Sequence, residues 1–307
     1  AASEIVLSPD GRRLITRALR VSSTGERTQL AELPTGENWG AFPFDIALDG
    51  SVVGLGVSEP APFTAFDPPV IWPGDSTAPR PLSTTIEGTA RAIAPTANTV
   101  VGWHWFFDGT ANVRVAFTST RSGPLADAPG LMLLDVNDAG DRILTTGTAP
   151  YTFLVRNGAT LPLGLFVQSA DGAGQHPLGE DGGVAGQVPV TGKAALRKPD
   201  GTIVELGVDM VPVATQGGAV VGSQTVQSVA KAVLWKAGRL VTLADLAPGA
   251  PALNVPTDIA TNGTIVGYSQ VQSDPLNRVR GWMLLYQARI TGQVVEPMLT
   301  DQWFVAM

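Results

Sequence analysis

The chain has 307 residues, including 35 Gly and 24 Pro, no Cys, 15% charged residues and a net charge of −7. Gly and Pro at that density interrupt helices and exclude a helical protein, while 44% hydrophobic content excludes intrinsic disorder. The missing Cys excludes a disulfide framework, a thiolate nucleophile, Cys-ligated zinc and an iron–sulfur cluster, and 20 basic against 27 acidic residues without a basic cluster argues against a nucleic-acid partner.

In chain order, a short unit recurs. It has an Asp or Asn with a Gly, then two or three apolar residues, then often a second Gly. A degraded copy opens the chain at Pro9–Ile15, and Arg12, Arg13, Arg17 and Arg20 around it alternate like a solvated strand face. The start, Ala1-Ala2-Ser3-Glu4, reads as a processed or trimmed end: its small residues suit export processing, and a cloned fragment would look the same. The full unit follows at Asp49-Gly50-Ser51-Val52-Val53-Gly54. The segment Glu59–Pro81 holds seven prolines with Phe63, Phe66 and Trp72. It is expected to contain either a binding loop or a rigid surface connection.

Asn98–Gly102 is the next copy, and it runs into Trp103-His104-Trp105-Phe106-Phe107. Trp103, His104, Trp105 and Phe107 are candidate contact residues, a projecting platform that stacks on a sugar or grips a protein. The alternative is a strand whose alternate residues pack inward. The longest apolar runs, Thr99–Phe107 and Leu131–Leu134, fall far short of the ~20 residues of a membrane helix, so no membrane span is expected.

Asp135-Val136-Asn137-Asp138-Ala139-Gly140-Asp141 suggests a calcium loop. However, Ala139 stands where the spacing needs an oxygen ligand and Thr146 where it needs a Glu, so the segment reads as a turn. His176 lies in an exposed loop with no second His to make a metal site. No cofactor or metal is expected. Further copies come at Asp181–Gly186, Gly217–Gly222 and Asn262–Ser269. A second half-unit, an apolar run and a turn Gly, is clearest at Ala232–Gly238.

The anchors Gly54, Gly102, Gly147, Gly186, Gly222 and Gly267 recur about every 42 residues, the size of one four-stranded propeller blade. The Asp/Asn-Gly pairs supply tight turns. The Val-Val-Gly runs read as strands buried on both faces, with the Gly at a bulge or a close backbone approach. The expectation is an all-β chain forming a single β-propeller, residues 1–307, with seven four-stranded blades. Their bounds are 1–36, 37–86, 87–127, 128–166, 167–207, 208–250 and 251–307.

The copies at Asp258–Ser269 and Ala232–Gly238 resemble the two halves of the HAF family of bacterial extracellular repeats. The resemblance covers nearly the whole chain and is weakest at residues 8–30 and 167–206. It implies a β-propeller on an exported protein, extracellular or periplasmic, and brings no catalytic residues. Together these readings lead to a noncatalytic propeller that binds a protein or glycan, or forms a subunit of a cell-surface assembly. Two alternatives stand beside it: a glycan-active hydrolase or lyase with carboxylates at the propeller mouth, and a purely structural module of a larger protein or filament.

Overall fold

The computed structural model describes residues 2–7, 14–22, 26–33, 37–59, 67–146, 152–167, 175–246, 255–270 and 279–285. Among them the regular structure is strand throughout, apart from one short 3-10 turn at Leu243–Leu246. The strands divide between two compact units, Ala1–Thr148 with Phe153–Leu161, and Ala149–Thr152 with Pro162–Ala306.

The first unit opens with a seven-stranded sheet. Its strands are β1 (Ala2–Leu7), β2 (Leu14–Val21), β3 (Arg27–Gln29), β4 (Glu37–Ile46), β5 (Val52–Glu59), β6 (Pro69–Trp72) and β7 (Arg80–Pro81). They lie in the order β1-β2-β4-β5-β6-β7, with β3 paired to β2. Two four-stranded sheets follow in that unit. One holds β8 (Gly88–Ile93), β9 (Val100–Phe107), β10 (Asn112–Ser119) and β11 (Ala126–Ala128). The other holds β12 (Met132–Val136), β13 (Arg142–Thr145), β14 (Thr152–Arg156) and β15 (Ala159–Pro162).

The second unit has three sheets. They are β16 (Val184–Gln187) to β18 (Ile203–Glu205) through β17 (Ala194–Arg197); β19 (Val211–Gln216), β20 (Ala219–Val226), β21 (Val229–Lys236) and β22 (Arg239–Thr242); and β23 (Val255–Ile259), β24 (Thr264–Gln270) and β25 (Val279–Leu285).

Seven four-stranded blades are therefore not what the described residues form: five sheets have three or four strands, and one has seven. The N-terminal copy does not close a sheet of its own. It joins β4 through a parallel bridge between Thr16 and Gly40. Gly40 permits this approach, because a Cβ there would stand 2.5 Å from the Thr16 carbonyl oxygen. In the β16–β18 sheet the first strand shrinks to a single bridge, Leu178 to Val184, just after Pro177, which has no N–H to donate.

The paired valines explain the core. Successive strand residues point to opposite faces. Val52 accordingly packs with Trp72 and Leu30, while Val53 packs with Ile71, Ile93 and Phe117. Val100 joins that second cluster and Val101 the next, with Leu133 and Leu144. In the second unit, Val220 and Val233 face Leu196 and Met210, whereas Val221 and Leu234 face Ile265 and Trp282. Each such sheet is apolar on both faces and fills two cores.

The second Gly of the unit sits opposite a β-bulge. One strand in each of five sheets (β4, β8, β12, β19 and β23) bulges at the same place in the repeat: Pro43/Asp45, Ala90/Ala92, Leu133/Asp135, Pro212/Ala214 and Pro256/Asp258. In four of them the residue before the bulge faces Gly54, Gly102, Gly222 or Gly267. A Cβ at Gly54 or Gly102 would stand 2.0 Å from a carbonyl oxygen, that of Phe42 or Thr89. In the fifth sheet the equivalent position is Leu144 rather than the sequence anchor Gly147, which lies outside the described residues. Space for that side chain comes from Gly130, whose missing Cβ would be 2.4 Å from Leu144 Cδ1.

Candidate functional site

The sheet β8–β11 carries the aromatic cluster. β8 covers β9 only as far as the pair Gly88–His104, and β11 covers β10 only as far as Ala116–Ala128. Beyond those pairs, Trp105, Phe106 and Phe107 face Arg114, Val113 and Asn112 in a ribbon of two strands. One further backbone bond, Trp105 N–H to Glu87 O at 2.9 Å, steadies its root.

The pleat sorts the side chains. Trp103, Trp105 and Phe107 belong to one face, and His104 and Phe106 to the other. Phe106 and Phe107 are 53% and 63% exposed and Trp105 is 39% exposed, against 3% for His104. Trp103 is half-buried. Its ring meets Trp105 edge-on, with centroids 5.3 Å apart and planes at 80°. The Arg114 guanidinium lies 4.5 Å from the Trp103 centroid and 5.1 Å from that of Trp105, a cation–π contact with both indoles. Arg114 also donates to Met132 Sδ at 3.4 Å.

His104 offers no contact surface. Its Nε2 lies 2.7 Å from Asp127 Oδ1, its Nδ1 lies 3.1 Å from the Trp105 carbonyl, and its ring lies 6.4 Å from that of Phe117. It is a core histidine tied to β11.

At the tip, Asp108 closes the turn. Its Oδ1 accepts from the Thr110 hydroxyl at 2.7 Å, the Ala111 N–H at 2.9 Å and the Thr110 N–H at 2.8 Å. These bonds hold its carboxyl below the usual carboxylate range. Sequence reasoning left out Phe106, Arg114 and Asp108. Strict alternation along β9 and the Asp108-Gly109 pair were the signals available for Phe106 and the tip.

Phe63 and Phe66 lie outside the described residues, in the segment that joins β5 to β6. Trp72, from the same Pro-rich stretch, is buried and donates its Nε1–H to Ala31 O at 2.8 Å. His176 is half-buried rather than exposed.

The acidic loop 135–141 is turn and staple. Asn137 Oδ1 accepts from the Asp141 N–H at 2.9 Å, and Asp141 pairs with Arg156 at 2.6 Å. Asp138 reaches the preceding sheet and accepts from the Thr96 N–H and hydroxyl and the Ala97 N–H. No helix among the described residues is long and apolar enough to cross a membrane.

A scan against models of known families finds no match, and neither does a search of curated protein sequences. Solved structures do match. The β-propeller domain of the Trilobed protease from Pyrococcus furiosus aligns over 95% of this chain and 94% of its own, with a TM-score of 0.57 at 9% identity. An acylaminoacyl peptidase from Pyrococcus horikoshii gives 0.56 at 11% identity, covering 91% of this chain and 48% of that one. TolB from Acinetobacter baumannii gives 0.46 at 13% identity, covering 78% and 61%. The chain thus spans about half of the peptidase and less than two thirds of TolB. At these identities the protease domain and the peptidase establish the fold, an all-β propeller.

Proposed function

We propose that this chain is a noncatalytic, exported β-propeller that binds a protein or glycan, or acts as a subunit of an extracellular or periplasmic assembly, through the β9–β10 ribbon. One observation carries the reading. Trp105, Phe106 and Phe107 stand exposed together on a ribbon that leaves the body of its sheet. Each such side chain forgoes part of the about 1.5–3 kcal/mol that full burial brings, and clustered aromatics of this kind anchor interfaces. The HAF-like repeat supports export.

The test is affinity purification from the native source with the wild-type chain and a Phe106→Ser/Phe107→Ser variant, with fractionation of the same cells. A stoichiometric surface complex that the variant loses is the expected result. If the variant retains every interaction of the wild type, the ribbon is not the contact element.

A further inference from the structure

The ribbon also indicates what kind of partner it meets; this step rests on the ribbon being the contact element. Its apolar residues point both ways, Trp105 and Phe107 from one face and Phe106 beside Val113 from the other. A flat surface covers one face of a two-stranded ribbon and leaves the other wet. Only a cleft or a lipid phase covers both.

A sugar platform needs open ring faces. Here Arg114 occupies a face of Trp103 and reaches Trp105, and the two indoles stand nearly perpendicular. The two indoles therefore do not form a coplanar open pair. The leading end separates the other two occupants. Asp108 sits at the turn, and its Oδ1 takes all three bonds from Thr110 and Ala111, which leaves Oδ2 for a partner. Hydrogen bonds that favour the ionised form keep this tip anionic at neutral pH. Tip-first entry into a bilayer would carry that charge into hydrocarbon, and a chain of net charge −7 is repelled by anionic lipid.

We propose that the β9–β10 ribbon plugs a cleft on a partner protein. The cleft has apolar walls for Phe106 on one side and Trp105 and Phe107 on the other, and a cationic floor that meets Asp108. The ribbon is the convex partner; the pocket belongs to the other protein.

The test places a benzophenone amino acid at position 106 or 107 of the full chain and irradiates it in an envelope extract of the native source. Both positions are expected to cross-link one and the same protein, through peptides from different parts of its sequence. Asp108→Lys should cut both cross-links roughly tenfold or more, and Asp108→Asn should cut them less. Phosphatidylcholine and phosphatidylglycerol vesicles serve as the lipid probe. Cross-linking to lipid, to a second copy of this chain or to glycan overturns the cleft and leaves the ribbon as a contact element. So does a protein cross-link from position 107 alone, or one indifferent to Asp108→Lys. If neither position cross-links and the Phe106→Ser/Phe107→Ser variant keeps all wild-type interactions, the binding reading falls with it.

Discussion

The glycines of the repeat do two separate jobs, and substitution distinguishes them. At Gly102 a Cβ would stand 2.0 Å from the Thr89 carbonyl oxygen and 2.9 Å from the Phe117 ring. Backbone cannot move aside as a flexible side chain can, so Gly102→Ala should cost about 3 kcal/mol. At Gly109 nothing lies within 4 Å and the constraint is only φ of +97°. Gly109→Ala should cost about 1 kcal/mol, and urea midpoints of the two variants check the order. Asp127→Ala, which strands the buried His104 Nε2, should cost about 1–3 kcal/mol in the same assay. The close-approach role was legible in the Val-Val-Gly runs, because only a residue without a side chain tolerates that contact. Leu144 was not legible as the same position, since its space comes from Gly130, a residue on the neighbouring turn.

The sheet β8–β11 has an inner half that holds the fold and an outer half that does not. Phe117 is fully buried among Val53, Ile71, Ile93 and Val100. Phe117→Ala should cost about 3–5 kcal/mol. Phe107→Ala, ten residues away in the same hairpin, should stay within about 0.5 kcal/mol, and thermal melts compare the two directly. The aromatic run was visible in the sequence, as was its alternation. Which face met solvent was not. That depends on where β8 and β11 stop, at partners 16 and 12 residues distant in register (Gly88–His104 and Ala116–Ala128). His104 therefore joins the core, although its neighbours Trp105 and Phe106 stand out.

Between sheets of the first unit, carboxylates act as staples. Asp45 Oδ2 accepts the Ile93 N–H at 2.8 Å, Asp49 pairs with Arg121, and Asp138 holds Thr96 and Ala97. Burial works against ionisation of Asp49 and Asp138. At Asp49, the Ser51 N–H and hydroxyl and Arg121 outweigh it. At Asp138, the Thr96 hydroxyl, the Ala97 and Thr96 N–H groups and Arg121 do so. Both carboxyls end below the usual range. A depressed folded pKa gives stability that is complete above the unfolded value and lost as pH falls through the folded one. Calorimetric melting temperatures should therefore hold down to about pH 4 and fall below it. Asp138→Asn should start lower at neutral pH and fall less steeply.

The sequence marked Asp49 and Asp138 as turn formers, because the turn is local, and left Asp45, within β4, without a role. Their second role was hidden, since the partners lie more than 40 positions away. The number of sheets was hidden for a similar reason: the N-terminal copy looks like a unit but bridges to β4.

A chain built of near-copies can mispair, one copy's strand sliding into another's place. The bulge gives this chain a lock against such exchange. Four of the five bulged strands face a glycine, whereas β12 accepts Leu144 with Gly130 beside it. Leu144 of β13 would meet the carbonyl that a glycine clears in those four sheets, so β13 is a poor substitute for β5, β9, β20 or β24 and a folding chain is steered away from that exchange.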